Sequence, residues 1–143
     1  MTALTKGRNT PESVGDNRVG PLAAAERLFV GAIAMRNAAG LLVAGQTAAG
    51  LVGIGCATAE TDNRLGADSD LAAPYKPGTF RYANSAAGDE VTAADIGSLA
   101  YVVDDQTVAK TNGGATRSPA GFIDNVDAQG VWVRFDEALT NAG

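Results

Sequence analysis

Glycine punctuation limits this chain more than any other feature. Eighteen glycines fall among 143 residues, and from Leu28 onward they break each apolar stretch before it reaches helical length. Glycine is costly inside a helix and cheap in a turn. Such spacing predicts short strands joined by turns at roughly 8–12-residue intervals, as in a small barrel or sandwich. The length suits one domain. Its core is lightly built, since the 45% hydrophobic content leans on alanine and only 6% of residues are aromatic.

The alternation of residue types places the strands. Leu28 to Met35 is apolar at both parities, with Phe29, Ile33 and Met35 on one set and Leu28 and Val30 on the other. That suits a strand buried on both faces or bent at Gly31. Leu22 to Arg27, rich in alanine, competes as a helix start. Asn37-Ala38-Ala39-Gly40 reads as a turn before a strand at Leu41 to Val43, and Leu51 to Ala57 as another strand. Thr61 to Pro77 is polar and reads as a loop. Thr79 to Ala83 reads as a strand with Phe80 and Tyr82 on one face and Arg81 on the other.

Thr92 and Asp95 mark one short helical turn, with Val91 and Ile96 spaced as a hydrophobic staple. Leu99 to Val103, Thr107 to Ala109, Gly121 to Ile123 and Val131 to Phe135 complete the strands. In the last, Val131, Val133 and Phe135 share a face, and Trp132 is either packed core or an interface anchor. The expectation is an all-β, barrel-like domain over residues 21–143 with one short helix. Residues 1–20 have only isolated aliphatics and predict an extended arm.

Charge narrows the partners. Eleven Lys and Arg against sixteen Asp and Glu give a net charge of −5, and the basic residues are scattered singly. Neither nucleic acid nor an anionic membrane is an expected partner, because both attract clustered basic residues. The N-terminus lacks the apolar run of a signal peptide. The uncharged span Asn37 to Ala59 is too rich in glycine and threonine to read as a membrane helix.

Catalytic chemistry finds little support. The chain has no histidine, which removes Ser-His-Asp and Cys-His arrangements and His-containing zinc sites. The single cysteine, Cys56, lies in an apolar run and reads as a small buried residue. Gly53-x-Gly55 lacks the third glycine of a dinucleotide fingerprint. Glu60, Asp62, Asp68 and Asp70 surround one loop, and Asp104 and Asp105 adjoin another. No calcium-loop spacing is present, so a solvated acidic surface is the first reading and a bound cation the second. No catalytic residue, cofactor or metal site is expected.

The segment Tyr75-Lys76-Pro77-Gly78-Thr79-Phe80-Arg81-Tyr82 resembles a run in the head decoration, or capsid cement, proteins of tailed phages, phage lambda's among them. Phe80 to Ser85, Ala94 to Gly97, Val102 to Ala109 and Ser118 to Gly121 extend the likeness. The chain departs from the lambda pattern in extra material between Gly88 and Phe135, which leaves the strand topology open. The resemblance implies a β-tulip-like barrel that trimerises on the outer surface of a phage head, made in the host cytoplasm and bound to the major capsid protein. It also implies an N-terminal arm that orders on the shell.

Leu4, Lys6, Arg8, Asn9, Thr10 and Val14 are then the candidate capsid-binding residues of the arm. Tyr75, Phe80, Tyr82 and Trp132 are candidate interface residues. Two other roles stay open: a different virion component, such as a head fibre base or head–tail joining protein, and a surface β-barrel that binds a carbohydrate.

Overall fold

A computed structural model of the chain describes residues 2–10, 13 and 16–143. Residues 2–10 carry no strand or helix, and each is exposed. The fold begins at β1 (Arg18–Pro21), so the last residues assigned to the arm from sequence are part of the body. The chain continues through β2 (Arg27–Leu28), β3 (Ile33–Arg36), β4 (Leu42–Ala44), β5 (Val52–Ala57), β6 (Thr61–Asp62) and β7 (Ala72–Lys76). After β7 come β8 (Gly78–Tyr82), β9 (Leu99–Val102), β10 (Val108–Ala109), β11 (Pro119–Asp127) and β12 (Gly130–Phe135).

Two five-stranded antiparallel sheets result, in the orders β1-β7-β5-β3-β4 and β10-β9-β11-β12-β8. β2 and β6 form a separate two-stranded ladder. The all-β expectation holds, and neither sheet closes into a continuous barrel. Each sheet curls until its outer strands meet at one parallel bridge, Leu22 with Leu42 in the first and Ala83 with Thr107 in the second. At the first seam Ala23 N–H donates to Leu42 O at 2.9 Å, while Leu22 N–H extends the β1–β7 pairing to Leu71 O at the same distance. At the second, Ala83 N–H donates to Gln106 O at 2.8 Å and Val108 N–H to Ala83 O at 3.0 Å. A single bridge is no continuous ladder, so both barrels stay open at a seam.

Burial on two faces explains the apolar stretches. Ile33, Met35 and Val43 of the first sheet meet Val102, Ile123, Val131, Val133 and Phe135 of the second. On the opposite face Ala34, Leu42, Ile54 and Tyr75 pack with Leu22 and Leu28. The first sheet is thus covered on both sides, and its strands need no polar alternation. Between β2 and β3 the expected bend is a turn in which Ala32 N–H donates to Phe29 O at 3.1 Å, with Gly31 at φ +87°. The predicted Asn37–Gly40 turn forms as well. Asn37 Oδ1 accepts from Ala39 and Leu41 N–H, each at 3.0 Å.

Two expectations need correction, and one competing alternative falls away. Thr61 to Pro77 is no simple loop, since it holds β6 and β7. Pro74 is tolerated there because its carbonyl faces Thr58 N–H at 3.2 Å, just beyond the last β5–β7 pair, Ala57 with Tyr75. The missing N–H therefore leaves no gap in a ladder. Leu22 to Arg27 forms no helix, because Leu22 is drawn into the seam and Ala25 turns the chain at φ +64°.

The predicted turn at Thr92 is a 3-10 helix, Ala93–Asp95, in which Thr92 N–H donates to Asp95 Oδ2 at 2.8 Å. Its staple does not close: Val91 is buried and Ile96 faces outward. A second 3-10 turn spans Ala87–Asp89. The α-helix lies elsewhere, at α1 (Glu137–Ala142), where Asp136 caps Leu139 N–H at 3.1 Å.

Candidate interaction surfaces

The arm separates charge from the body. Residues 1–10 hold Lys6 and Arg8 and no acid, whereas the rest of the chain carries nine basic residues against sixteen acidic ones. Leu4 is 70% exposed, and Lys6, Arg8, Asn9 and Thr10 are exposed beside it. Among the described residues neither Lys6 nor Arg8 joins an ion pair. Val14 lies outside the described residues. The arm joins the body beside an ion pair between Asp16 and Lys76 at 3.8 Å.

The four candidate interface residues do not form one surface. Tyr75 is buried, and its hydroxyl accepts from Arg36 Nη2 at 3.1 Å. That same guanidinium pairs with Glu137 at 2.7 Å, which ties α1 to the first sheet. Tyr82 is buried too; its hydroxyl donates to Gly31 O at 3.0 Å, and its ring meets Phe135 edge-on at 6.0 Å. Burial, and then Cys56 beside it, push its phenol well above the usual range. Both tyrosines therefore serve the interior, which corrects their assignment to an interface.

Phe80 is half-buried, tilted against Phe135 at 6.3 Å. Trp132 is also half-buried. Its indole N–H donates to Asp127 Oδ2 at 2.9 Å, and the Arg81 guanidinium lies 5.5 Å from its ring centre. That indole hydrogen bond, then those from the Gln129 and Gly130 amides, hold the Asp127 carboxyl below its ordinary value.

The loop between β6 and β7 carries a surface that the sequence reading did not single out. Leu65 is fully exposed and Leu71 is 42% exposed. With Asp62, Arg64, Gly66 and Asp70 they line a groove of about 720 Å³. Asn63 holds the loop from below. It is 2% exposed, and its amide nitrogen donates to the carbonyls of Leu22, Ala23 and Ala67 at 3.3, 3.1 and 2.9 Å. A lone leucine in a polar stretch was the available signal, but nothing in the sequence says it points outward.

The acidic residues are engaged one by one. Glu60 pairs with Arg27 and Asp62 with Arg64, at 2.7 and 2.8 Å. Asp68 accepts from Ala24 N–H at 2.7 Å and Asp70 from Ala67 N–H at 2.9 Å. Among the described residues no group of three His, Cys, Asp or Glu side chains could hold a metal ion, and no helix is long and apolar enough to cross a membrane. A more polar cleft of about 560 Å³ opens between α1 and β1, lined by Arg18, Tyr75, Glu137 and Asn141 among others.

No family model, curated protein or solved structure matches the chain. The functional reading therefore stands on residues and geometry.

Proposed function

We propose that the chain is a capsid decoration protein. It coats the outer surface of a phage head as a trimer, its arm engages the major capsid protein, and the coat stabilises the shell. The observation that carries this reading is the contrast between arm and body. A well-packed domain projects a segment in which residues 2–10 are all exposed. The sequence likeness to phage head decoration proteins adds to it, and its most specific run folds as β7 and β8, crossing from one sheet to the other at Pro77.

The energetics suit a multivalent binder. An extended arm binds by adding a strand to a neighbour, where main-chain hydrogen bonds supply affinity and alternate side chains supply specificity. Ordering it costs about 1–2 kcal/mol per residue before any gain, so one arm binds weakly. Three arms on one trimer make the later contacts intramolecular and raise avidity by roughly 10²–10⁴.

Counting copies per particle tests this. A shell-coating trimer is expected on the order of hundreds of times per head, following the symmetry of the lattice. A count of about a dozen or fewer would point instead to a joining or fibre-base role at a unique vertex.

A further inference from the structure

We infer that, in the free protein, the arm of one copy docks into the Leu65–Leu71 groove of a second copy. This goes beyond shell binding and does not rest on it. Three observations carry the inference.

The groove is built and not collapsed. Three hydrogen bonds from the buried Asn63 amide, and the bond from Ala24 N–H to Asp68, fix the loop to the seam of the first sheet. Leu65 therefore cannot fold inward to hide. Among the described residues Leu65 is the most exposed large hydrophobic, and half-exposed Leu71 lines the same groove.

Charge and periodicity fit the arm to it. In an extended segment Leu4, Lys6 and Arg8 fall on one face, because alternate residues share a side. Leu4 is the one large aliphatic of residues 2–10. It matches Leu65 and Leu71 in the groove lining, and the two cations behind it match Asp70 in that lining and Asp68 in the same loop. Both carboxylates accept backbone N–H groups, and neither joins an ion pair among the described residues.

Reach and exposure point to another copy. Thirteen residues separate Leu4 from β1, enough to span roughly 43 Å when extended. Within one chain residues 2–10 are all exposed, so they do not occupy their own groove. Arms exchanged between copies in a closed symmetric assembly make the later contacts intramolecular.

Carbodiimide cross-linking of a mixture of light and isotopically heavy full-length chains tests this. The expected result is a Lys6 peptide joined to an Asp68 or Asp70 peptide, in light–heavy pairs. Sedimentation should show self-association that weakens as salt rises. Leu65→Asp, and separately the pair Lys6→Glu with Arg8→Glu, should each weaken it about tenfold or more. The circular dichroism of each variant should match the parent, because all three side chains lie in water. Three results would overturn the inference: cross-links confined to one isotope, a single-chain mass at every concentration, or self-association indifferent to Leu65→Asp. No shell is present in the assay, so its failure and the failure of the decoration reading are separate outcomes.

Discussion

Gly53→Ala is expected to destabilise the fold by about 2–4 kcal/mol, more than a single methyl group normally does in a core. Gly53 lies in β5, the middle strand of the first sheet, where it faces β11 of the second. A Cβ at this position would overlap the backbone of Ala120, its carbonyl oxygen above all. Ala120 is the residue at which the β9–β11 register slips, between Pro119 and Gly121, and it is completely buried. The obstacle is main chain in a packed layer, so no side-chain rotation relieves it and the sheets must part. Gly88→Ala is the matched control, because nothing lies within 4 Å of the added carbon there. Its denaturation midpoint should stay within about 0.5 kcal/mol of the parent. Equal midpoints for the two variants would show that the sheets do not meet at Gly53.

Asn63→Asp should cost about 3 kcal/mol or more near neutral pH. The native amide donates into three carbonyls from a site that is 2% exposed. A carboxylate would place negative oxygen against all three; Leu22 O and Ala67 O keep the Ser69 and Asp70 N–H donors, while Ala23 O loses the Asn63 amide. Burial and those carbonyls raise the introduced carboxyl's folded pKa above its unfolded value. The variant is then least perturbed below the unfolded value of about 3.9, and it loses stability as pH rises toward the folded pKa. Urea titrations at acidic and neutral pH check the sign. Asn63→Ala should cost about 1–3 kcal/mol at either pH, since it removes the donor without adding charge. A neutral-pH midpoint for Asn63→Asp equal to the parent's would mean that Asn63 does not pin the loop.

Local alternation made much of the fold legible. Phe80 and Tyr82 against Arg81, and Val131, Val133 and Phe135 against Trp132 and Arg134, face as their spacing requires. The Asn37 turn and the Thr92 cap follow from side chains that bond their own neighbours. What escaped depends on distant partners. β7 carries Ala72, Ala73 and Pro74, poor strand formers that become a strand because β1 pairs with them. The curl of each sheet is decided where Leu22 meets Leu42 and Ala83 meets Thr107, pairs that no local pattern links. The helix α1 has a cap at Asp136, yet six residues are too few to show a helical period.

The surfaces divide in the same way. The exposure of residues 2–10 follows from a segment without an apolar face, which cannot pack. Tyr75 and Tyr82 resembled interface aromatics until their hydroxyl partners, Arg36 and Gly31, were visible across the fold. The exposure of Leu65 depends on Asn63 reaching back some forty residues in sequence.

Binding of purified protein to undecorated shells, with and without residues 1–14, addresses the central reading most directly. The full chain should coat the shells. The truncated chain should keep its circular dichroism and denaturation midpoint and leave the shells bare. Equal occupancy by the two proteins would contradict the assignment of shell binding to the arm.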